Sequence, residues 1–469
     1  MELDFLNVID EKQEMLDALA DALWDDAETA YREFRSASRL CRALREEGFA
    51  VEEGLAGIPT AFSGRFGAGR PVIGILGEFD ALEGLGQVAG VAQKRPNGRK
   101  SGHGCGHNLL GAGSLGAALA VKRFLERGDR PGTVIYFGCP AEEGGSGKAF
   151  MARDGVFDQL DAALCWHPDV ETGVRTKLSL ANCLVLYKFD GRAAHAGAYP
   201  HLGRSALDAV ELMNVGANYL REHMIPEARV HYAITDTGGS FPNVVQAHAE
   251  VLYMIRAPRG DQVRDLYARV CDIAAGAALM AGVQVEHAFL KACSNIILND
   301  AMQQDLYEKM LRIGAPEITA QDEAFAAEMA RKALSEFPEA DARRPIHWEI
   351  RPYAAGQETP CFSSTDVGDV SWICPTAQVA AATAAYGTPG HSWQMTAQGK
   401  TPLAHKMTRF AAKAMAATAA ELIANAALLQ KAREEHRRRV GKSGYVPPIP
   451  QGVRPRALED IAAHETASV

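Results

Sequence analysis

Hydrophobic residues recur at helical spacing over residues 4–47, and this pattern predicts an N-terminal helix. Uninterrupted apolar runs at 72–76, 133–137 and 162–166 are typical of buried strands. A segment of small residues at 108–127 lies between the first two runs and predicts a helix. This strand–helix–strand order favours a largely parallel sheet that is covered by helices on both faces.

The pattern changes near residue 180, where apolar and polar positions begin to alternate as in a half-exposed strand. The segments that follow predict, in chain order, a strand at 180–189, a helix at 205–221, strands at 230–234 and 248–256, a helix at 262–281 and a strand at 283–290. This β-α-β-β-α-β order is typical of a ferredoxin-like sandwich. The predicted fold class is therefore α/β, with a mixed, largely parallel sheet domain and an inserted ferredoxin-like α+β domain.

These patterns also predict the domain boundaries. Residues 1–180 and 300–430 form a discontinuous larger domain, and residues 181–299 form the inserted domain. Residues 404–430 predict an Ala-rich packed helix of the larger domain. The charged and Pro-rich residues 431–469 are expected to form an extended C-terminal tail.

Composition limits the possible partners and compartments. The chain has 469 residues and a net charge of −9, which disfavours a nucleic-acid partner because phosphate binding needs a basic face. Its 9 cysteines are scattered and odd in number, which argues against a disulfide framework. The N-terminus lacks the pattern of a signal peptide, and no segment is both long and apolar enough for a membrane span. We therefore expect a cytoplasmic protein with no nucleic-acid or membrane partner.

Four motifs carry side chains that could perform chemistry. In GHGCGHN, Cys105 and His107 are separated by one glycine, so the backbone can turn tightly enough for both to reach one metal ion. An incidental glycine-rich turn is the alternative. In PAEEGG, Glu142 and Glu143 directly follow a predicted strand, where one carboxylate could bind metal and the other could take a proton from water. Adjacent solvated glutamates are the alternative.

Two further histidines lie at comparable positions. His167 directly follows the predicted strand at 162–166, and His391 lies in the turn-rich segment YGTPGHSW. Each could be a structural or loop histidine when it is considered alone. Together with the thiol and the carboxylates, they form a mixed ligand set that suits Zn²⁺, with Mn²⁺ or Co²⁺ as alternatives.

The motifs as a set resemble the family of dinuclear metallo-aminoacylases and carboxypeptidases, which also includes hippurate hydrolases and auxin-conjugate amidohydrolases. The resemblance covers nearly the whole chain and rests on GEFDALEGLG, GHGCGHN, PAEEGGSGK, WHP, RAAHAGAYPHLGRSALDA, GGSFPNVV, SSTDVGDVSW and TPGHSW. It implies that the larger domain is catalytic and that the inserted domain serves dimerisation and covers the site.

The resemblance also implies residue roles. Two divalent ions per subunit, Mn²⁺ or Zn²⁺, would be held by Cys105, His107, Glu143, His167 and His391. Glu142 would act as general base and acid, and Asp80 would orient a ligand from behind. Many relatives have His-x-Asp where this chain has Glu78-Phe79-Asp80, which leaves the role of Glu78 open.

In the inserted domain, His195 resembles the histidine that reaches into the active site of the neighbouring subunit and stabilises the oxyanion. Asn243 and Arg256 match substrate-binding positions, and Arg256 could grip a substrate carboxylate. A strand-end salt bridge is the alternative for Arg256.

The expected function is metal-dependent hydrolysis of the amide bond of an N-acyl amino acid, most closely an aroyl-glutamate such as p-aminobenzoyl-glutamate. A dipeptidase or an amino-acid-conjugate hydrolase of the same family is the alternative within this chemistry. A non-catalytic binding module is disfavoured because every catalytic position is filled. A structural zinc site is disfavoured because the ligands are dispersed along the chain. The resemblance implies a homodimer or a hetero-oligomer with a related subunit.

Overall fold

The computed structural model describes residues 2–128 and 130–457. Its strands are β1 (Ala50–Glu53), β2 (Phe62–Ala68), β3 (Val72–Glu78), β4 (Leu82–Glu83), β5 (Ser101–Gly102), β6 (Gly132–Cys139), β7 (Ala162–Asp169), β8 (Glu171–Val174), β9 (Ala181–Asp190), β10 (Arg229–Asp236), β11 (His248–Ala257), β12 (Gln284–Cys293), β13 (His347–Ile350) and β14 (Thr376–Ala382).

The helices of the described part are α1 (Asn7–Glu11), α2 (Gln13–Asp26), α3 (Phe34–Glu46), α4 (His107–Leu125), α5 (Gly147–Arg153), α6 (Ala206–Leu220), α7 (Gly260–Ala281), α8 (Asp300–Ile313), α9 (Ala320–Lys332), α10 (Val367–Ile373), α11 (Trp393–Gln398), α12 (Pro402–Ala424) and α13 (Ala426–Val440).

Eight strands form the main sheet in the order β1-β2-β6-β3-β7-β14-β8-β13. The central strands β6, β3, β7 and β14 run parallel. Strands β1 and β2 pair antiparallel with their neighbours, and β8 pairs antiparallel with β14 and parallel with β13, so the sheet is mixed and largely parallel, as predicted. Alternate side chains of β3 enter different cores: Ile73 and Ile75 pack with α4 and α12, whereas Val72 and Leu76 pack with α5 and α10. Helices therefore cover both faces.

Helix α4 lies directly on this sheet because its residues are small. A Cβ atom on Gly113 would lie 2.9 Å from the Trp166 ring, so only glycine permits this close approach. Helix α12 packs on α4, and it begins at Pro402 after Thr401, whose hydroxyl accepts a hydrogen bond from the Ala404 amide at 3.2 Å. This packing fixes the N-terminus of α4 at the edge of the sheet.

The inserted segment forms a four-stranded antiparallel sheet in the order β10-β11-β9-β12. Helices α6 and α7 pack against each other and bury one face of this sheet. In the numbering of the segment itself the strand order is 2-3-1-4, with both helices on one side, which is the ferredoxin-like arrangement that the pattern predicted.

The single helix predicted at 4–47 is wrong. The chain breaks after α2, where Ala27 adopts a left-handed conformation with φ of 42°, and α3 begins at Phe34. The Glu28 carboxylate accepts a hydrogen bond from the Ser36 amide at 2.9 Å and thereby satisfies the first turn of α3. Hydrophobic spacing continues across the break, so the pattern does not reveal it.

The prediction of an extended tail from residue 431 is wrong for its first ten residues, because α13 continues to Val440. Its buried Leu429 and Ala432 pack on the larger domain, and the Glu435 carboxylate accepts hydrogen bonds from the Asp300 and Ala301 amides at the start of α8. Residues 441–457 contain neither helix nor strand, and 458–469 lie outside the described residues.

Within the described residues, no single helix has the length and hydropathy of a membrane span. Helices α12 and α13 meet the criterion only when they are taken together, and they are bent by 100° where they join.

Candidate metal centre and active site

The carboxyl ends of the central parallel strands bring the predicted site residues together. Glu78 ends β3, Glu142 follows β6, and His167 lies near the end of β7. Cys105 and His107 lie at the N-terminus of α4, which crosses the same edge of the sheet. Open sheets of this kind place their sites outside the carboxyl ends of the strands.

Gly106 permits the turn between the thiol and the imidazole. Its φ is 78°, in the left-handed region, and a Cβ atom there would lie 2.8 Å from the Pro168 ring. The turn places the Cys105 Sγ 3.4 Å from the His167 Nε2.

All five predicted ligands converge in two groups that share one thiol. Ligand atoms of Cys105, His107 and His167 lie within 4.8 Å of one another, and so do those of Cys105, Glu143 and His391. This geometry fits two adjacent ions that share Cys105. A third group, not expected from the sequence, contains Glu78, His107 and Glu142.

The buried polar atoms of these residues also fit a bound cation. The His107 Nε2 and the Glu143 Oε1 are buried, and neither makes a hydrogen bond within the described residues, although a Glu78 carboxylate oxygen lies 3.2 Å from the His107 Nε2. Buried polar atoms without partners are rare in folded proteins and costly. A thiolate, imidazoles and a carboxylate are together a ligand set that suits Zn²⁺ or a similar divalent ion.

Residues behind the ligands fix their orientation. The Asp80 Oδ1 lies 2.9 Å from the His107 Nδ1, and its Oδ2 accepts a hydrogen bond from the Glu143 amide at 2.9 Å. The His167 Nδ1 lies 2.6 Å from the Pro168 carbonyl oxygen, so it donates there and leaves Nε2 facing Cys105. Such contacts set the tautomer and raise the basicity of a ligand.

Glu142 has the properties of a general base. Burial, reinforced by the negative charges of Glu78, Glu143 and Asp366, raises the pKa of Glu142 to about 8. A carboxyl group with a pKa near neutrality can both accept and return a proton at physiological pH.

A buried lysine compensates part of this negative charge. The Lys148 Nζ is fully buried and lies 2.8 Å from the Glu78 Oε1 and 2.5 Å from the Asp366 Oδ1. The other oxygen of Glu78 lies 3.2 Å from the His107 Nε2. Sequence reasoning left the role of Glu78 open and assigned none to Lys148 or Asp366, although both lie in the motifs that carry the resemblance.

The turn that presents Glu142 is held by the N-terminal segment. Ala141 has a φ of 59°, and its amide donates a hydrogen bond to the Glu33 Oε1 at 3.0 Å. The Tyr31 hydroxyl donates to the Gly145 carbonyl at 2.8 Å. Glu33 is also buried, and burial together with the charge of Asp80 raises its pKa to about 8. Tyr31 and Glu33 match no motif, so the sequence pattern does not reveal this segment as part of the site.

A cavity of about 580 Å³ opens from the ligand cluster toward the inserted domain. Arg256 lies on its wall and donates a hydrogen bond to the Ser364 Oγ at 2.9 Å. No carboxylate lies within 4 Å of its guanidinium in the described part of the chain, so the salt-bridge alternative for Arg256 is not observed.

His195 and Asn243 do not line this cavity. Both side chains are exposed, and the backbone joins them through the Ala196 amide, which donates to the Asn243 carbonyl at 2.9 Å. The His195 Nδ1 accepts hydrogen bonds from the Gly197 and Ala198 amides at 3.2 and 3.1 Å, which directs the proton to Nε2. The chain thus holds them at one exposed position, outside its own cavity.

Residues 74–442 match the model of Peptidase family M20/M25/M40. The chain belongs to this family. One of the subunits of p-aminobenzoyl-glutamate hydrolase from Escherichia coli is 47% identical over 94% of this chain and 96% of its own length. The human Xaa-Arg dipeptidase is 29% identical over 93% of this chain and 92% of its own length.

Solved structures of the family share the fold. A dinuclear metal-binding M20 peptidase from Bacillus subtilis superposes with a TM-score of 0.57, at 16% identity, over 88% of this chain and 99% of the other. The predicted family and fold class are therefore confirmed, and so is the prediction of a metal-dependent amidohydrolase.

Proposed function

We propose that this protein hydrolyses the amide bond of an aroyl-glutamate, with p-aminobenzoyl-glutamate as the leading substrate. The single observation that carries the proposal is the convergence of five metal-ligand side chains in two groups that share Cys105, with Glu142 close to the ligand His107. The E. coli relative, named for p-aminobenzoyl-glutamate hydrolysis, supports the substrate.

Cys105, His107, Glu143, His167 and His391 would hold two divalent ions, and we propose Mn²⁺ or Zn²⁺. When bound, the ions would polarise the amide carbonyl and acidify water. Glu142 accepts the proton of the attacking water and then delivers it to the nitrogen of the leaving amino acid. Asp80 keeps His107 and the Glu143 backbone in place during both transfers.

We further propose that His195 acts in the active site of a second subunit. Its Nε2–H is free to donate to the oxyanion, and its side chain lies outside its own cavity. Tyr199 lies four residues after His195, Val244 forms a backbone bridge with His195, and Phe241 lies two residues before Asn243. All three side chains are exposed, as expected for a surface that contacts a partner. A homodimer is the simpler assembly. A hetero-oligomer with a related chain is the alternative, since the name of the E. coli relative describes it as one subunit of its enzyme.

A mixing experiment tests this proposal. Glu142→Gln and His195→Gln should each be inactive alone. If His195 acts in trans, mixed dimers regain one intact site, and an equimolar mixture after subunit exchange recovers roughly a quarter of wild-type activity. A mixture as inactive as its components, with exchange verified by mass spectrometry, would contradict the role in trans.

We also propose a cytoplasmic location. Cys105 must remain a thiol to bind metal, and all nine cysteines are unpaired in the structure. Fractionation with an antibody to the native protein should place it with soluble cytoplasmic markers. Recovery with exported proteins would refute this location.

The second candidate is a dipeptidase that releases a C-terminal arginine, which the human relative favours. A leaving arginine would have to approach a cavity wall that already carries Arg229 and Arg256. The positive charge of a leaving arginine would be repelled by these two guanidinium groups, so we favour an acidic leaving amino acid.

The test is release of glutamate from p-aminobenzoyl-glutamate by protein that has been stripped with a chelator and reloaded with Mn²⁺ or Zn²⁺. Activity should return with metal and be lost in Glu142→Gln, while that variant still binds metal. Hydrolysis of an Xaa-Arg dipeptide with no action on the aroyl-glutamate would favour the second candidate. Metal-independent activity would contradict the mechanism.

A further inference from the structure

Two arginines of the inserted domain lie side by side on the wall of the cavity. Arg229 begins β10 and Arg256 lies near the end of β11, and the two residues are directly paired in the antiparallel register. Directly paired residues project from the same face of a sheet, and here that face lines the cavity. The guanidinium groups therefore face the same space.

Neither charge is neutralised by the protein. In the part of the chain that the structure describes, no carboxylate lies within 4 Å of either guanidinium. Arg229 donates to the Ala228 carbonyl at 2.7 Å and lies 5.0 Å from the centre of the Phe362 ring, and Arg256 donates to Ser364. These are neutral partners that orient the arginines without cancelling their charge.

Two other cations of the cavity have a carboxylate partner. Lys177 lies 3.3 Å from the Asp169 carboxylate, and Arg175 lies 3.9 Å from the same group. The buried Lys291 contacts a neutral group, the Glu143 carbonyl at 3.3 Å, and so lies beside the candidate metal ligands. Arg229 and Arg256 are therefore the two neighbouring arginines on the cavity wall that are left for an anion.

Like charges directly opposite on neighbouring strands destabilise a sheet. Burial, together with the positive charges of Arg256, Arg221 and Arg229, lowers the pKa of His231 beside them. Proteins keep such unfavourable arrangements mainly at functional sites. A ligand with two negative charges would relieve the repulsion.

We propose that Arg229 joins Arg256 in a paired guanidinium subsite that selects an acidic leaving amino acid by binding its two carboxylates. This inference rests on the proposed function. It assigns the preference for an acidic leaving amino acid to Arg229, which lies in none of the motifs that carry the family resemblance. Neighbouring strands are about 4.8 Å apart, a spacing that suits two carboxylates joined by a short aliphatic chain. Each guanidinium can bind one carboxylate in a bidentate manner.

The test compares hydrolysis of p-aminobenzoyl-glutamate with that of p-aminobenzoyl-glutamine, which lacks only the side-chain charge. In metal-loaded protein, Arg229→Met should lower kcat/KM for the glutamate substrate about 10- to 100-fold, mainly through KM, as expected for loss of one charged hydrogen-bonding group. It should leave the glutamine substrate within about 2-fold, since that substrate offers no second carboxylate. Arg269→Met changes an exposed arginine of α7 and is the matched control, which should leave kcat/KM unchanged for both substrates.

A binding measurement separates this inference from the proposed function. Calorimetric titration of wild-type and Arg229→Met protein with N-benzoyl-glutamate and N-benzoyl-glutamine needs no turnover. A preference for the glutamate ligand that is lost in Arg229→Met supports the subsite even if no aroyl-glutamate is hydrolysed. An equal loss for both ligands, or an unchanged preference, overturns it.

Discussion

Lys148 lies in a buried cluster of carboxylates, and its removal should strongly destabilise the protein. Its ammonium group is fully buried between Glu78 and Asp366, whose side chains are 2% and 1% exposed. Methionine has a similar length and no charge, so Lys148→Met removes the charge while largely preserving the packing. The two carboxylates would remain buried without their shared counter-ion.

The expected cost follows from this burial. Removing one partner of a buried ion pair costs about 3–5 kcal/mol, because the remaining charge is neither solvated nor paired. The Asp366 Oδ2 keeps its hydrogen bond from the Lys148 backbone amide at 2.8 Å, which does not depend on the side chain. We therefore expect the free energy of unfolding to fall by about 3–5 kcal/mol at pH 8.

The loss should depend on pH in a defined direction. Burial already raises the pKa of Asp366, and without Lys148 this pKa would rise further above its value in the unfolded chain. A raised carboxyl pKa destabilises the folded state at high pH, and this penalty disappears as pH falls toward the unfolded value of about 4. The difference from wild type should therefore be smaller at pH 5.5 than at pH 8.

Urea denaturation in the presence of a chelator measures this difference without a contribution from metal binding. Lys413→Met removes a lysine that pairs with the exposed Asp10, and as a surface control it should cost less than about 1 kcal/mol. Adding Glu78→Gln and Asp366→Asn to Lys148→Met should restore most of the loss, because an uncharged set needs no counter-ion. If Lys148→Met alone stayed within about 1 kcal/mol of wild type at pH 8, Lys148 would not be an essential counter-ion of the buried carboxylates.

Three further outcomes follow from the geometry. Glu33→Ala should lower kcat, because it leaves the Ala141 amide without an acceptor at a cost of about 1–3 kcal/mol, whereas Glu33→Gln keeps that acceptor; steady-state kinetics of both variants would show the contrast. Burial raises the pKa of Asp369 to about 7, so its ionised form is disfavoured in the fold and wild-type stability should fall as the pH rises from 4 to 7. Asp369→Asn should make this fall smaller; urea titrations at several pH values that give the same pH dependence for variant and wild type would refute the reasoning. Cys105→Ser should reduce the metal content below two ions per chain in elemental analysis, because this thiol belongs to both ligand groups, and retention of both ions would refute the shared position.

The fold was predictable where one physical pattern dominates. Apolar runs identified β3, β6 and β7, which are buried on both faces. Alternation identified β9 as a strand, but the expectation that it is half-exposed is wrong, because residues 181–187 are buried on both faces. The pattern failed at Ala27, where two helices share one hydrophobic period, and at α13, where a highly charged segment is helical because a few residues pack on the larger domain. Local sequence does not encode contacts of that kind.

The ligands could be named from the sequence because each lies in a motif at a strand end or helix start. Among the residues that support them, Asp80 could also be named, whereas three others could not. Glu33, Lys148 and Asp366 act through contacts between segments that are far apart in the chain, and nothing in their immediate sequence indicates the partner. The sequence therefore reveals the side chains that take part in the reaction more readily than those that hold these side chains in place.

The two ends of the cavity carry opposite charges, and this arrangement orients a charged substrate. Glu78, Glu142 and Glu143 make the end at the main sheet anionic, where divalent ions are favoured. Arg229 and Arg256 make the wall of the inserted domain cationic. A substrate with a carboxylate-bearing leaving group is therefore oriented with its acidic end at the arginines and its amide bond toward Glu142, and the reversed orientation would place its carboxylates beside the anionic residues. Since the two ends come from different domains, their relative position decides whether the amide reaches Glu142.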